Sequence, residues 1–206
     1  MQAIILMADI QNSSLQNQRI LVQQFGYLIQ AANKKFQDEL RSPLTITLGD
    51  EFQGIPQTIE SGLKIIFHLE ESILKKGYTM KLRYILQVGR IETPINSRIA
   101  YGMMGKGLTD ARNQLNLLKK EKNRFKIKTT RIAQTHVLNQ AFLLYQSLVD
   151  TWKPKDQPIV SSFLTLKDYK KVAIKHQLNP SSTWRRQKSL NIAQYNSIKE
   201  ILLYLG

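Results

Sequence analysis

Ile46-Thr47-Leu48-Gly49-Asp50-Glu51-Phe52-Gln53-Gly54 is the stretch on which the fold turns. The run Leu44 to Leu48 is rich in strand-forming residues, Gly49-Asp50 is a turn signal, and Glu51 to Ile55 can return as a hairpin partner until Pro56 stops it. Upstream, Ala3 to Ala8 is a short apolar run ending at Asp9, long enough for a central strand. Between the two, Leu21, Phe25, Leu28, Ile29, Ala32 and Phe36 recur at helical spacing and predict an amphipathic helix. Downstream, Thr58 to Lys75 repeats that spacing and ends at Gly77, a helix stop. Leu82, Tyr84, Leu86 and Val88 then alternate as a strand. A glycine-bearing loop, Tyr101 to Gly107, leads to a helix with Leu108, Ala111, Leu115 and Leu118 inward, and Phe125 to Thr130 can close a last strand. The order β-α-β-β-α-β-α-β contains the split βαββαβ plan of a ferredoxin-like palm, so the chain is read as α+β.

In such a palm the first strand lies beside the hairpin, which brings Asp9 to Asp50 and its neighbour Glu51. Carboxylates so placed suit a hard ion such as Mg²⁺ or Mn²⁺, which keeps waters and is completed by substrate phosphates. The bland alternative is that Asp50 is a turn residue and Asp9 a strand-end cap. Asn12 and Ser13, just past the first strand, are candidate ligand contacts. No cysteine is present, which excludes disulfides, thiolate metal sites and thiol catalysis. His68, His136 and His176 lack metal-ligand spacing and read as structural. There is no Walker loop or GxGxxG, and Gly105-Lys106-Gly107 is too short for a phosphate loop. No run of residues reaches membrane-span length, and the apolar start is broken by Asp9, so a cytoplasmic protein without a membrane partner is expected.

The charge is uneven. Of the net +15, residues 1–116 hold 13 Lys and Arg against 10 Asp and Glu, and residues 117–206 hold 17 against 5. Such a basic second half is the usual electrostatic footprint of a nucleic-acid partner, with an anionic membrane surface as the weaker alternative. Within it, Thr135 to Trp152 has helical spacing and Lys153 to Pro158 reads as a turn or linker. From Thr165 two short helices flank Leu178-Asn179-Pro180, with Ala173 where helices must approach closely. The second helix carries Ser182, Thr183, Arg185, Arg186 and Lys188, residue types suited to phosphates and base edges. Trp184 reads first as a core anchor between helices and second as a base or sugar contact. The basic run Lys119 to Arg131, including Arg124, either extends this surface or protects a strand edge. A palm at 1–132 and a helical, basic, helix-turn-helix-like domain at 133–206 are expected; the alternative for the tail is a solvated basic helical pair docked on the palm.

The segments IILMADIQNS (4–13), ITLGDEFQG (46–54), LRYILQVGRIE (82–92) and YGMMGKGLTDARNQLNLL (101–118) fall in the order, and near the spacing, of the signatures of class III nucleotide cyclase domains. Most of the chain resembles the bacterial SatD family, with its ADI-type strand, GDEFQG hairpin and C-terminal helix-turn-helix. The resemblance implies a cyclase-like palm in which Asp9 and Asp50 match the metal aspartates. It places Ile46 where cyclases have the base-reading lysine and Gly102 near its acidic partner. Thr109 and Asn113 stand where the ribose- and triphosphate-binding asparagine and arginine would be. Arg112, one residue off and so rotated by about 100° on a helix, and Lys106 are the cations nearest to those roles. Half of a cyclase site is therefore expected. Taken with the basic tail, the leading expectation is a bacterial DNA-binding regulator whose palm senses a metal-nucleotide or related phosphorylated ligand, with a homodimer expected by analogy with cyclases. A Mg- or Mn-dependent cyclase or nucleotidyl transferase using Asp9 and Asp50 is the alternative.

Overall fold

The computed structural model describes residues 1–13 and 17–206. Strands β1 (Gln2–Ile10), β2 (Leu40–Ile46), β3 (Glu51–Pro56), β4 (Leu82–Arg90) and β5 (Phe125–Lys128) form one sheet in the order β2-β3-β1-β4-β5. Strand β3 is antiparallel to both β1 and β2. The two strands joined by helix α1 (Gln18–Lys35) are therefore parallel with β3 inserted between them, the split arrangement expected of a palm. Strand β4 pairs antiparallel with β1 along its whole length, and β5 adds in parallel to β4. Strand β2 begins at Leu40, earlier than the apolar run suggests, and its register shifts around Pro43. It is an edge strand, where a proline leaves no central ladder bond unmade.

The two faces of the sheet bury different helices. Leu6, Ala8, Ile10, Phe52, Tyr84 and Leu86 face α1 and α2 (Ile59–Lys76) in one core. Helix α2 is closed at both ends by local chemistry: the Thr58 hydroxyl caps the Ser61 N–H, and Gly77 takes the left-handed conformation, φ 66°. On the opposite face Ala3, Ile5, Met7, Ile55 and Ile85 pack under helix α3 (Lys106–Leu118) through Leu108, Ala111, Leu115 and Leu118. The start of α3 lies on β4 so closely that a Cβ at Gly107 would stand 2.6 Å from the Arg90 nitrogen. Only glycine allows that approach.

Helices α4 (Ile132–Val149), α5 (Gln157–Leu166), α6 (Tyr169–His176), α7 (Pro180–Ser189) and α8 (Ile192–Leu205) follow. They do not stand apart from the palm. Leu138, Phe142, Tyr145, Val160, Val172 and Tyr195 belong to the same core as the residues under α1 and α2. Aromatic rings run through it from Tyr84 to Phe125 (5.5 Å between centroids), Phe142 (4.7 Å), Tyr145 (6.0 Å), Tyr195 (5.6 Å) and Trp152 (5.3 Å). Polar contacts add to it: Tyr195 Oη donates to Glu71 at 2.8 Å, and Trp152 Nε1 to the Leu190 carbonyl at 2.9 Å. The segment read as a turn or linker is a packed corner whose Asp156 is buried and paired with Arg186. Among the described residues no helix is long and apolar enough to cross a membrane.

Candidate functional site

Strand register builds a charged cluster at one end of the α3 face. Asp9 is the cross-strand partner of Glu51 on one side and of Arg83 on the other. Residues directly opposite on paired strands share a face, so all three side chains point toward α3. Asp9 and Glu51 are almost wholly buried, as is Arg83. Arg83 takes both oxygens of Asp9, Nε to Oδ1 at 2.9 Å and Nη2 to Oδ2 at 3.0 Å, the planar two-point geometry guanidinium gives. From α3 and its C-terminal cap, Arg112 Nη2 lies 2.6 Å from Glu51 Oε1 and Lys119 Nζ 3.4 Å from Asp9 Oδ2. Burial pushes the Glu51 carboxyl above its usual range against the opposing pull of Arg112 and Lys119. Thr47 Oγ1 donates to Glu51 Oε1 at 3.3 Å.

The hairpin end is tied to β1 independently. The Ile10 N–H donates to the Asp50 carbonyl at 2.9 Å, and Ser13 Oγ donates to Asp50 Oδ2 at 2.6 Å. Ser13 thus supports Asp50, while Asn12 is exposed with a left-handed backbone, φ 56°. Lys106 belongs to the other end of α3, where Gly107 meets Gly89; about 20 Å of helix separates it from Lys119. Lys106 is thus set apart from the Asp9 cluster. Arg112 does reach the site, but as the partner of Glu51.

A divalent metal needs carboxylate oxygens with open lone pairs and a negative surplus. Here three cations, Arg83, Arg112 and Lys119, already pair with Asp9 and Glu51, and Asp50 is engaged by Ser13. Among the described residues no three His, Asp or Glu side chains group as metal ligands. With these pairs formed, the donor set of Asp9, Glu51 and Asp50 is not open to Mg²⁺ or Mn²⁺ as the side chains stand. No motif in the sequence singles out Arg83 or Lys119. The available signal for Arg83 is a charge on the second face of a strand whose first face is Leu82, Tyr84 and Leu86.

The second candidate surface is α6-turn-α7. Asn179 caps α7, its Oδ1 accepting from the Ser181 N–H at 2.9 Å and the Ser182 N–H at 3.4 Å. Thr183 is fully buried and its hydroxyl donates to the Asn179 carbonyl at 2.9 Å, so it secures the turn and does not face outward as expected. Arg186 leans sideways onto Asp156. Ser182 and Arg185 are exposed, and Lys188 lies over the Trp184 ring, 3.7 Å from its centroid. Trp184 is 43% exposed, which overturns its reading as a core anchor; Trp152, 7% exposed, holds that place. At about 100° per residue, Ser181, Trp184, Arg185 and Lys188 form the outer stripe of α7. In the stretch before α4, Lys120, Lys122, Lys126 and Lys128 are exposed, whereas Arg124 is buried against Glu70 at 3.0 Å and adds nothing to the surface.

Among solved structures the chain is similar to a bacterial light-regulated adenylyl cyclase at 13% identity, covering 61% of this chain and 74% of that one with a TM-score of 0.47. It is also similar to the guanylate cyclase domain of a Catenaria anguillulae protein crystallised with GTP, at 15% identity over 56% and 72% with a TM-score of 0.40. A third similar structure is a dimeric guanylyl cyclase domain from Blastocladiella emersonii, at 15% identity over 56% and 73% with a TM-score of 0.42. No curated protein matches. The SatD family matches residues 3–202, hairpin, charged cluster and terminal helices together, and the chain belongs to the SatD family.

Proposed function

We propose that this chain is a DNA-binding regulatory protein in which the α6-α7 pair meets the duplex and the palm receives a phosphorylated ligand. The observation that carries the reading is the outer stripe of α7, where Ser181, Trp184, Arg185 and Lys188 stand exposed behind a capped turn. Hydroxyls and guanidinium on the outside of the second helix of such a pair are what phosphate and base-edge contacts require. The net charge of residues 117–206 supports it, and so do the exposed lysines on α6, Lys170, Lys171 and Lys175. For the palm, Arg112 and Lys119 present part-exposed cations above the sheet, 33% and 43%. Metal-dependent cyclase or nucleotidyl-transfer chemistry, the alternative, meets an obstacle in the Arg83 pair that occupies Asp9. A homodimer completes the proposal by analogy with dimeric cyclase domains.

The test is fluorescence anisotropy on labelled duplex DNA across a salt series, with wild type and Arg185→Ala/Lys188→Ala. Binding that weakens steeply with salt, and less steeply in the double variant, is the expected result. Binding indifferent to salt and to both substitutions would sink the reading.

A further inference from the structure

We propose that Arg83 is a resident cation that replaces a divalent metal on this sheet, so that the palm keeps a latent metal site closed by its own guanidinium. Whether α7 meets DNA has no bearing on it. Register places Asp9 of β1 between Glu51 of β3 and Arg83 of β4, with all three on the α3 face. Asp9 and Glu51 are the oxygen donors a hard ion would take. Arg83 holds both Asp9 oxygens at 2.9 and 3.0 Å and is itself 8% exposed. An ion bound to Asp9 would therefore have to displace a buried guanidinium or sit beside it, against like charge in a site of low dielectric. Lys119 and Arg112 close the remaining approach from α3, at 3.4 Å to Asp9 and 2.6 Å to Glu51. The cluster is thus neutralised from within, and any anionic ligand of the palm would meet protein cations directly and need no bridging metal.

Removing the Arg83 charge should open the site, while preserving it should not. The experiment measures Mn²⁺ binding by isothermal titration and by melting temperature on the full chain. Five proteins are compared: wild type, Asp9→Asn, Arg83→Lys, Arg83→Gln, and Arg83→Gln combined with Asp9→Asn. Wild type and Arg83→Lys are expected to be indifferent to Mn²⁺. Arg83→Gln is expected to gain a melting-temperature rise of several degrees at saturating Mn²⁺, lost again when Asp9→Asn is added. Mn²⁺ binding by the wild type that Asp9→Asn abolishes would overturn the proposal, as would a folded Arg83→Gln protein that ignores Mn²⁺. Should Arg83→Gln be unfolded without metal, recovery of its far-ultraviolet circular dichroism on adding Mn²⁺ supports the proposal and no recovery overturns it.

Discussion

Taking away the Arg83 side chain leaves Asp9 buried with only the longer contact to Lys119. Losing one partner of a buried pair costs about 3–5 kcal/mol, so Arg83→Ala is expected to lower the urea midpoint sharply. Lys119→Ala, on a side chain 43% exposed, is expected to cost no more than about 1 kcal/mol. Glu51 gives a pH test. Its carboxyl is raised above the ordinary value of 4.5, chiefly by burial, so the folded protein holds this proton more tightly than the unfolded one. Its contribution to stability is present below pH 4.5 and is lost as pH rises through the folded pKa. Relative to Glu51→Gln, which does not titrate, the wild type is expected to lose stability across that window and then run parallel to the variant. Melting curves at closely spaced pH check this, and a constant difference between the two proteins would contradict it. The acidic members of the cluster are legible in the sequence because a turn signal and a strand end announce themselves locally. Arg83 is not, because its meaning comes only from standing opposite Asp9, and register between strands so far apart in the chain leaves no local mark.

Helix α7 separates what periodicity can say from what it cannot. The turn at Asn179-Pro180 and the cap are readable from residue type, and Asn179→Ala, which uncaps two backbone N–H groups, is expected to cost about 1 kcal/mol of stability. Which face of the helix turns outward is not readable. The helix has only Thr183 fully buried along its length, too little apolar pattern to define an inner face. Residue type alone therefore puts Thr183 on the contact face and Trp184 in the core, the reverse of their places in the fold. The corrected faces change the expected mutational pattern. Replacing Arg185 or Lys188 by alanine is expected to reduce the slope of log affinity against log salt by about 1 for each phosphate left without its cation. Arg186→Ala is expected to leave that slope alone. Its effect falls on the Asp156 pair, where the Arg186 side chain is 41% exposed, and amounts to no more than about 1 kcal/mol of stability. Anisotropy across salt paired with denaturant melts of the same proteins separates the two classes; equal slope changes for Arg185 and Arg186 would refute the outward face assigned to α7.

For the molecule as a whole, the uneven charge and the proline-bearing stretch at residues 153–158 favour reading two independent units, and the packing argues for dependence. Helix α4 begins at Ile132. Across that point, however, Phe142 stacks on Phe125 at 4.7 Å and on Phe67 at 6.2 Å, and Tyr145 meets both rings edge-on. The α2 residue Glu71 accepts from Tyr195 and pairs with Lys199 of α8. These partners come from distant parts of the chain, so sequence composition cannot register them. A fragment ending at residue 132 would expose Phe67 and Phe125 together with the face of α2 that α5 and α8 cover. At about 3–5 kcal/mol for each large buried aromatic, the loss of Phe142, Tyr145, Trp152 and Tyr195 is comparable with the whole of the roughly 5–15 kcal/mol that holds a typical domain. Residues 1–132 expressed alone are therefore expected to lack a cooperative thermal transition and near-ultraviolet circular dichroism, and to recover both only when residues 133–206 are present. A sharp melt by the fragment alone would instead mark the palm as self-sufficient and the helices as an accessory laid on its surface.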